Sequence, residues 1–261
     1  MFLMALDPHD PRGAREQLMS LLRDKIESEE IPPGSKLPSA RELAKIYEVG
    51  PETARWVMTQ LKMLGLVTTR KGAGVYARQR PSVRRHGMER YARSTWSGPE
   101  GRPILSAEAE RQGKQARQAM RALEETPAPP QVADRLEVPE GQVVWVRRRT
   151  TYIDEVPNQV ADSYFRLEDI EGTPLKQVET GPGGSFARLE DQGFRLAEVR
   201  EEFTARTPTT WESVELQISQ GVPVIELYRT LYATDERPVE VMHAVMSSAL
   251  TAFDYRFTIP D

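Results

Sequence analysis

The 261-residue sequence has no cysteine and only three histidines, which are scattered along the chain (His9, His86 and His243). The lack of cysteine excludes disulfide bonds and thiolate metal sites. The histidines lack the spacing of metal ligands, and none of them stands with a carboxylate in a catalytic motif. We therefore expect no catalytic residues, no metal site and no cofactor.

Long hydrophobic runs are also missing, so no segment of the sequence is long enough to cross a bilayer. The opening residues MFLMALDPHD have no basic start, no extended apolar stretch and no small-residue cleavage site, so they make a poor signal peptide. A chain without cysteine also suits a reducing compartment. These observations predict a cytoplasmic protein that does not associate with membranes.

The net charge of −4 is small, but it conceals two parts of opposite sign. Residues 1–93 contain 17 basic and 11 acidic residues, whereas the remainder contains 18 basic and 28 acidic residues. Residues 1–93, with a net charge of +6, are suited to binding a polyanion. The remainder, with a net charge of −10, would repel one. The asymmetry predicts two domains with different partners, and ordinary scatter of charge is the alternative interpretation.

The N-terminal part predicts three helices and a hairpin. Apolar residues at helical spacing predict a first helix over 14–29. Ser39, with Glu42 three residues later, has the pattern of a capping box and begins a second helix. Gly50 ends the following turn, and Pro51 suits the first position of a third helix. The β-prone runs LVTTR and VYA flank the glycine-rich KGAG, which predicts a hairpin and completes a winged helix-turn-helix.

The third helix has one apolar and one polar face. Its apolar stripe predicts burial of Ala54, Val57, Met58 and Leu61. At 100° per residue the opposite face, which is shaped to enter a major groove, carries Glu52, Arg55, Trp56 and Thr59, with Thr53 at its edge.

Residues 37–77, LPSARELAKIYEVGPETARWVMTQLKMLGLVTTRKGAGVYA, resemble the DNA-binding domain of the GntR family of bacterial transcription regulators. The shared pattern is Leu-Pro-Ser, Arg-Glu-Leu-Ala, a Thr-x-Arg helix, Leu-x-x-x-Gly-Leu and a Gly-x-Gly wing. Arginine bonds guanine edges, threonine bonds phosphate, and glycine lets the backbone approach a groove closely. The resemblance implies contacts with double-stranded DNA from Ser39, Arg41, Thr53, Arg55, Lys71 and Gly72, and Glu52 is a further candidate from its own chemistry.

The start of the third helix departs from the family pattern. Family members often have a small polar residue followed by arginine where this chain has Gly50 and Pro51, and threonine where it has Glu52. Loss of that arginine predicts an operator that differs from the common one. Glu52 either accepts a hydrogen bond from a cytosine N4 amine or only favours the positive N-terminus of its helix. For Arg41 and Arg55 the alternative is a pair of solvated surface arginines.

Residues 79–94 are basic and show no clean periodicity, which predicts a linker between a DNA-binding domain over 1–78 and a second domain over 95–261. Within this segment Arg84 and Arg85 either add phosphate contacts or belong to a solvated tether.

The second domain is predicted to be an antiparallel α+β sheet. Runs such as QVVWVRRRTTYI (142–153) and PVIELYRTLYAT (223–234) are typical of strands, and turns and short helices separate them. Residues 106–125 have strong helical propensity, but Gly113 interrupts them and their apolar pattern is thin.

This half resembles the UTRA effector domain of the HutC-like branch of the GntR family, a fold similar to chorismate lyase. The matching pieces are VADRLEVPEGQVVWVRRRTTYIDEVPNQVADSYF, LEDQGF, WESVEL and GVPVIELYRTLYATDERPVEV. In such domains the stretch around 114–124 tends to be a strand, so helix and strand both stay open there. Members bind small metabolites, often sugar phosphates or organic acids. The resemblance implies effector contacts from Arg147, Arg149, Ser163, Tyr164 and Glu240.

Arg147 and Arg149 are two apart on one predicted strand, so both point to the same face and are able to clamp a carboxylate or phosphate. The adjacent Arg148 leaves open an exposed arginine run paired with glutamates. Glu240 is alternatively an exposed strand residue. SSALTAF stands after it where sugar-responsive members have arginines, which argues against a sugar phosphate.

These features together predict a sequence-specific DNA-binding transcription regulator. We expect a homodimeric repressor that a small molecule releases from a palindromic operator, and the arginines favour an anionic molecule. One alternative is a chorismate-lyase-like enzyme with an accessory DNA-binding domain. Another is a constitutive DNA-binding protein without an effector.

Overall fold

The computed structural model describes residues 6–70, 72–78, 83–256 and 258–259. The chain divides into two compact units. The first comprises residues 1–80 with 207–209 and 218–223, and the second comprises the rest of the chain from residue 81 onward. Among the described residues no helix has the length and apolar character needed to span a membrane.

The first unit has the three helices and the antiparallel hairpin that the sequence predicts. They are α1 (Ala14–Glu27), α2 (Ala40–Ile46), α3 (Pro51–Met63), β1 (Val67–Arg70) and β2 (Gly74–Ala77). Each helix buries its apolar stripe in a common core, which includes Leu18, Leu22, Leu43, Ala54, Val57 and Leu61.

Local sequence signals determine where α2 and α3 begin. The Ser39 hydroxyl accepts a hydrogen bond from the Glu42 backbone N–H at 3.3 Å, and the Glu42 carboxylate accepts one from the Ser39 N–H at 2.7 Å. This reciprocal pair is the predicted capping box. Gly50 is the N-cap of α3 and Pro51 is its first residue, a position where a missing N–H costs nothing.

The second unit contains five short helices and eight strands within the described residues. Its helices are α4 (Arg93–Trp96), α5 (Ile104–Arg111), α6 (Pro130–Leu136), α7 (Gly184–Asp191) and α8 (Thr210–Glu215), with 3₁₀ turns at Met88–Tyr91, Glu168–Ile170 and Pro174–Lys176. Its strands are β3 (Val83–His86), β4 (Ala116–Pro127), β5 (Val143–Ile153), β6 (Val156–Phe165), β7 (Leu196–Arg206), β8 (Val224–Ala233), β9 (Pro238–Ser247) and β10 (Thr251–Asp254).

Six of these strands form one antiparallel sheet in the order β4-β5-β6-β9-β8-β7, as the predicted α+β class requires. On one face α6 packs against the sheet through Leu136, Val144 and Val241. On the other face α4 and α7 pack through Trp96 and Phe186. Strands β3 and β10 pair with each other in parallel. Side chains on the second face therefore lie between the sheet and the first turn of α7.

Residues 106–125 contain both structures that the sequence left open. Helix α5 ends at Arg111, Gly113 turns the chain at a φ of +67°, and β4 begins at Ala116. The strand suggested by the UTRA resemblance is confirmed for 116–125, and the helical propensity holds only up to Arg111. Pairing with β5 along the whole of β4 overrides the local preference.

Most of the predicted linker over 79–94 is instead part of the second unit. Residues 83–94 contribute β3, a 3₁₀ turn and the start of α4 to the second unit, because β3 finds a partner in β10 far along the chain. Residues 79–82 of that linker lie outside the described residues.

Candidate DNA interface and effector cavity

The candidate DNA interface is the outward face of the helix-turn-helix. Arg41 on α2 and Arg55 on α3 are exposed, and Thr53 is half-buried at the edge of the same face. Glu52 and Arg55 form an ion pair one turn apart on α3, with side chains 82% and 67% exposed. The Glu52 carboxylate therefore holds the guanidinium that the family pattern assigns to base contact.

Ser39 and the wing contribute backbone geometry to this surface. Ser39 is exposed, but its hydroxyl already caps α2. Gly72 lies at the hairpin tip with a φ of +74°, a conformation that glycine adopts without strain. Lys71 lies outside the described residues, so its predicted DNA contact stays a prediction.

Sequence reasoning missed one neighbour of the predicted surface. The guanidinium of Arg15 on α1 lies 4.2 Å from the centre of the Trp56 ring. This cation–π contact half-buries a tryptophan that the helical wheel places on the outer face. No sequence pattern predicts that Arg15 and Trp56 contact each other.

The candidate effector site is a cavity of about 100 Å³ between the sheet and α7. Neutral polar side chains at the site are Gln118, Gln159 and Ser163. The dominant feature is five arginines from four separate stretches of chain: Arg85, Arg90, Arg147, Arg149 and Arg229.

Three of the five arginines are neutralised by buried carboxylates. Arg85 lies 3.2 Å from Glu201, and Arg90 lies 3.1 Å from Glu108. The third pair joins Arg229 to Glu240 at 2.9 Å. Burial acts to lower the pKa of Arg229, but the charges of Glu240 and Glu201 and the nearby Tyr91 hydroxyl together raise it above its ordinary value.

Arg147 and Arg149 differ from these three, because no carboxylate among the described residues lies within 4 Å of either guanidinium. Arg147 donates hydrogen bonds to backbone carbonyls that include Leu175, at 2.6 Å. Arg149 donates to the Ser163 hydroxyl at 3.1 Å. Burial and the charge of Arg149 lower the pKa of Arg147 to about 10, so it stays cationic at neutral pH. Burial also lowers the pKa of Arg149.

The N-terminus of α7 lies at the same cavity. Gly183, Gly184 and Ser185 line it, so the positive end of the helix dipole adds to the charge of the two arginines. Gly183 has a φ of +77°, and a Cβ there would lie 2.1 Å from the Trp96 carbonyl oxygen. Only glycine fits this approach of α7 to α4.

The structure brings together three of the five predicted effector residues. Arg147, Arg149 and Ser163 line the cavity, as the period of two along a strand predicts for the arginine pair. Glu240 is fully buried as the partner of Arg229, so the alternative of an exposed strand residue is wrong, and its effector contact stays a prediction. Through this ion pair Glu240 holds Arg229 in the cavity wall.

Tyr164 does not line the cavity, and its effector contact stays a prediction that this geometry does not support. It packs with Val144 and Val241 against α6, because neighbouring residues of a strand face opposite sides and Ser163 takes the cavity side. For the same reason Arg148 points away and pairs with Asp162 and Glu124.

Sequence reasoning missed the three paired arginines. The sequence does indicate that Arg229 is unusual, because it shares the apolar face of a predicted strand with Ile225, Leu227 and Leu231. The sequence suggests phosphate contacts for Arg85 as a linker residue, whereas in the structure its side chain is buried in the cavity wall. No cluster of acidic residues or histidines suited to a metal ion occurs in the part of the chain that the structure describes.

Comparison with known proteins connects both units to one group of proteins. The family model for the UTRA domain matches residues 111–249, and the one described as bacterial regulatory proteins, gntR family, matches residues 14–77. An uncharacterised HTH-type transcriptional regulator of Streptomyces coelicolor is 30% identical over 94% of this chain and 93% of its own length. The HTH-type regulator Mce2R of Mycobacterium tuberculosis is 28% identical over 63% of this chain and 70% of its own.

Two solved structures share the fold. PhnF from Mycobacterium smegmatis has a TM-score of 0.58 at 19% identity, with 93% of this chain and 99% of that chain covered. A putative GntR-family transcriptional regulator has a TM-score of 0.61 at 24% identity, with 95% and 99% covered.

Proposed function

The chain belongs to the GntR family of bacterial regulatory proteins and carries a UTRA domain, so it is a DNA-binding transcription regulator and not an enzyme, and we propose that it is a repressor released from its operator by an anionic small molecule. The observation that carries the anionic effector is the pair Arg147 and Arg149. Two buried cations without carboxylate partners are costly unless a ligand supplies the negative charge.

The neighbourhood of the pair supports a single anionic group as the ligand. Carboxylates neutralise Arg85, Arg90 and Arg229, so the surplus positive charge is concentrated on Arg147 and Arg149. Guanidinium groups bind carboxylate and phosphate bidentately, and the N-terminus of α7 adds backbone donors.

On the DNA side we propose that α3 enters a major groove. Arg55, Thr53 and Arg41 then contact base edges and phosphates, and the wing at Gly72 approaches the backbone. Two copies joined through their second units place two α3 helices on a palindrome whose half-sites are about 34–36 Å apart. Effector binding changes that spacing and releases the operator in the cytoplasm.

The test measures binding of the full chain to the DNA upstream of its own gene, by fluorescence anisotropy, while small carboxylates and phosphates are added. We expect an active anion to weaken operator binding by about 5–150-fold. Arg149→Met is expected to abolish this response without changing operator affinity in the absence of the anion.

Arg148→Met provides the matched control, because it removes the same charge one residue away on the opposite face of the sheet. It should keep the anion response. If no anion changes either operator affinity or melting temperature, the protein binds DNA constitutively and the effector proposal fails.

A further inference from the structure

A second cavity lies on the same face of the sheet, beside the arginine cavity. It has a volume of about 490 Å³ and lies between strand β7 and the segment 87–96. Most of its wall is apolar or aromatic, with contributions from Trp96, Phe186, Leu196, Val199, Phe203 and Leu231. It is larger than the arginine cavity and of opposite chemical character.

The two cavities share one lining residue, and the Arg85–Glu201 ion pair also joins their walls. Phe186 lines both of them. On the side of the arginine cavity, the Arg229 guanidinium lies 5.1 Å from the Phe186 ring centre. On the other side, the Trp96 ring lies edge-on at 5.5 Å and the Tyr91 ring is stacked at 5.9 Å. The Phe186 side chain therefore lies on the wall between the two cavities.

Two of the three charged residues that line the second cavity, Glu201 and Arg93, are already engaged, and the third, Glu198, is exposed. The Glu201 carboxylate accepts hydrogen bonds from the hydroxyls of Tyr91 at 2.5 Å and Tyr255 at 2.6 Å, in addition to its pairing with Arg85. Arg93 is paired with Glu190. The space that remains suits hydrocarbon, and an anionic head has no reason to prefer it to the arginine cavity.

We propose that the effector is amphipathic: its anionic head binds Arg147 and Arg149, and its apolar portion passes Phe186 into the second cavity. This inference rests on the proposed function, because it assigns a shape and a class to the same effector. The head is a carboxylate or a phosphate monoester, since either suits a guanidinium pair. The apolar portion gains affinity by leaving water for a wall of leucine, valine and aromatic side chains.

The test uses two homologous series, monoalkyl phosphates from methyl to octyl and alkyl carboxylates from acetate to octanoate, with binding to the full chain measured by calorimetry. In the series with the preferred head, we expect affinity to rise by up to about fourfold per methylene, the gain for full burial of a CH₂ group. The comparison of the two series identifies the head.

Two variants locate the apolar portion. Phe203 and Val199 line only the second cavity, so Phe203→Ser and Val199→Ser should each reduce the gain per methylene while methyl phosphate or acetate binds as before. Arg149→Met should abolish binding at every chain length, because the head anchors the ligand.

The outcomes distinguish the two proposals. If the short and long members of a series bind equally well, the amphipathic effector is wrong and the anion site stands. The same proposal fails if chain-length dependence persists unchanged in both serine variants, or if octyl compounds still bind Arg149→Met. If no member of either series and no inorganic phosphate binds, the anionic effector itself is wrong.

Discussion

The two units of the protein hold their arginines in opposite ways. In the first unit Arg41 and Arg55 are exposed, and the single partner of Arg55 is a carboxylate that is itself in solvent. In the second unit Arg147, Arg149 and Arg229 lie in a cavity wall, where Arg147 and Arg229 are buried and Arg149 is half-buried. A surface cation meets a polyanion with little loss of hydration, whereas a buried cation destabilises the fold unless something neutralises it.

This difference separates two kinds of function. The exposed arginines suit a long, uniformly charged partner whose affinity comes from many weak contacts, as DNA provides. The buried arginines suit a small ligand that fits one place and supplies one charge. Within the cavity the same contrast recurs between the arginines that carboxylates neutralise and the two that have no carboxylate partner among the described residues.

The largest expected effect follows from breaking a neutralised pair. Arg229→Met should lower the free energy of unfolding by about 3–5 kcal/mol, because it leaves the fully buried Glu240 carboxylate without its partner. Urea unfolding followed by tryptophan fluorescence reports this change, since Trp96, Trp145 and Trp211 all belong to the second unit.

Arg149→Met is the matched control within the same cavity. It removes a buried charge that has no carboxylate partner among the described residues, so stability should be unchanged or increased. The double variant Arg229→Met/Glu240→Leu should recover most of the loss seen in Arg229→Met. If Arg149→Met proved as destabilising as Arg229→Met, the distinction between the two kinds of cavity arginine would be wrong.

The next effect concerns the exposed arginines. Arg55→Ala should weaken operator binding by about 1–3 kcal/mol and relax specificity at one base pair, because a base contact is lost while the fold is unaffected. Anisotropy with the operator and with single-base variants measures both changes. Arg23→Ala removes the same charge from an exposed position on α1 and should change affinity little. Unchanged affinity and specificity in Arg55→Ala would exclude α3 as the recognition helix.

The two units also differ in how far the sequence predicts their structure. In the first unit the decisive signals are local. The capping box at Ser39 and Glu42 and the proline at position 51 set helix starts within a few residues, and the apolar stripes then define a single core. The helices and the hairpin of that unit follow from local signals, whereas the Arg15–Trp56 contact and the inclusion of residues 207–209 and 218–223 do not.

In the second unit the decisive contacts are distant in sequence. The period of two along β5 correctly places Arg147 and Arg149 on one face. The same period along β6 puts Tyr164 on the face opposite Ser163, away from the cavity. Arg85 is a different case, because its burial depends on pairing between β3 and β10, which are more than 160 residues apart. No local pattern carries that information.

A smaller effect tests the double role proposed for Ser39. Ser39→Ala should cost about 1 kcal/mol of stability in the first unit, because it removes the side-chain acceptor that caps α2. Ser39→Asn restores an acceptor and should restore stability, as measured by thermal melting. If Ser39→Asn melts like the parent protein yet binds the operator more weakly, the hydroxyl contacts DNA as well as capping the helix. Equal operator affinity would leave the cap as its whole role.

The smallest effect concerns Glu52, where the two interpretations predict opposite signs. If the carboxylate only holds Arg55 and favours the helix N-terminus, Glu52→Gln should strengthen operator binding by a few tenths to about 1 kcal/mol, since an exposed pair no longer competes with DNA for the arginine. Glu27→Gln at the end of α1 changes the net charge equally and controls for the overall field. Weaker binding that is confined to operators with a cytosine at one position would instead identify Glu52 as a base contact. The sign of this change therefore decides whether the carboxylate that opens α3 restrains the recognition helix or extends its specificity.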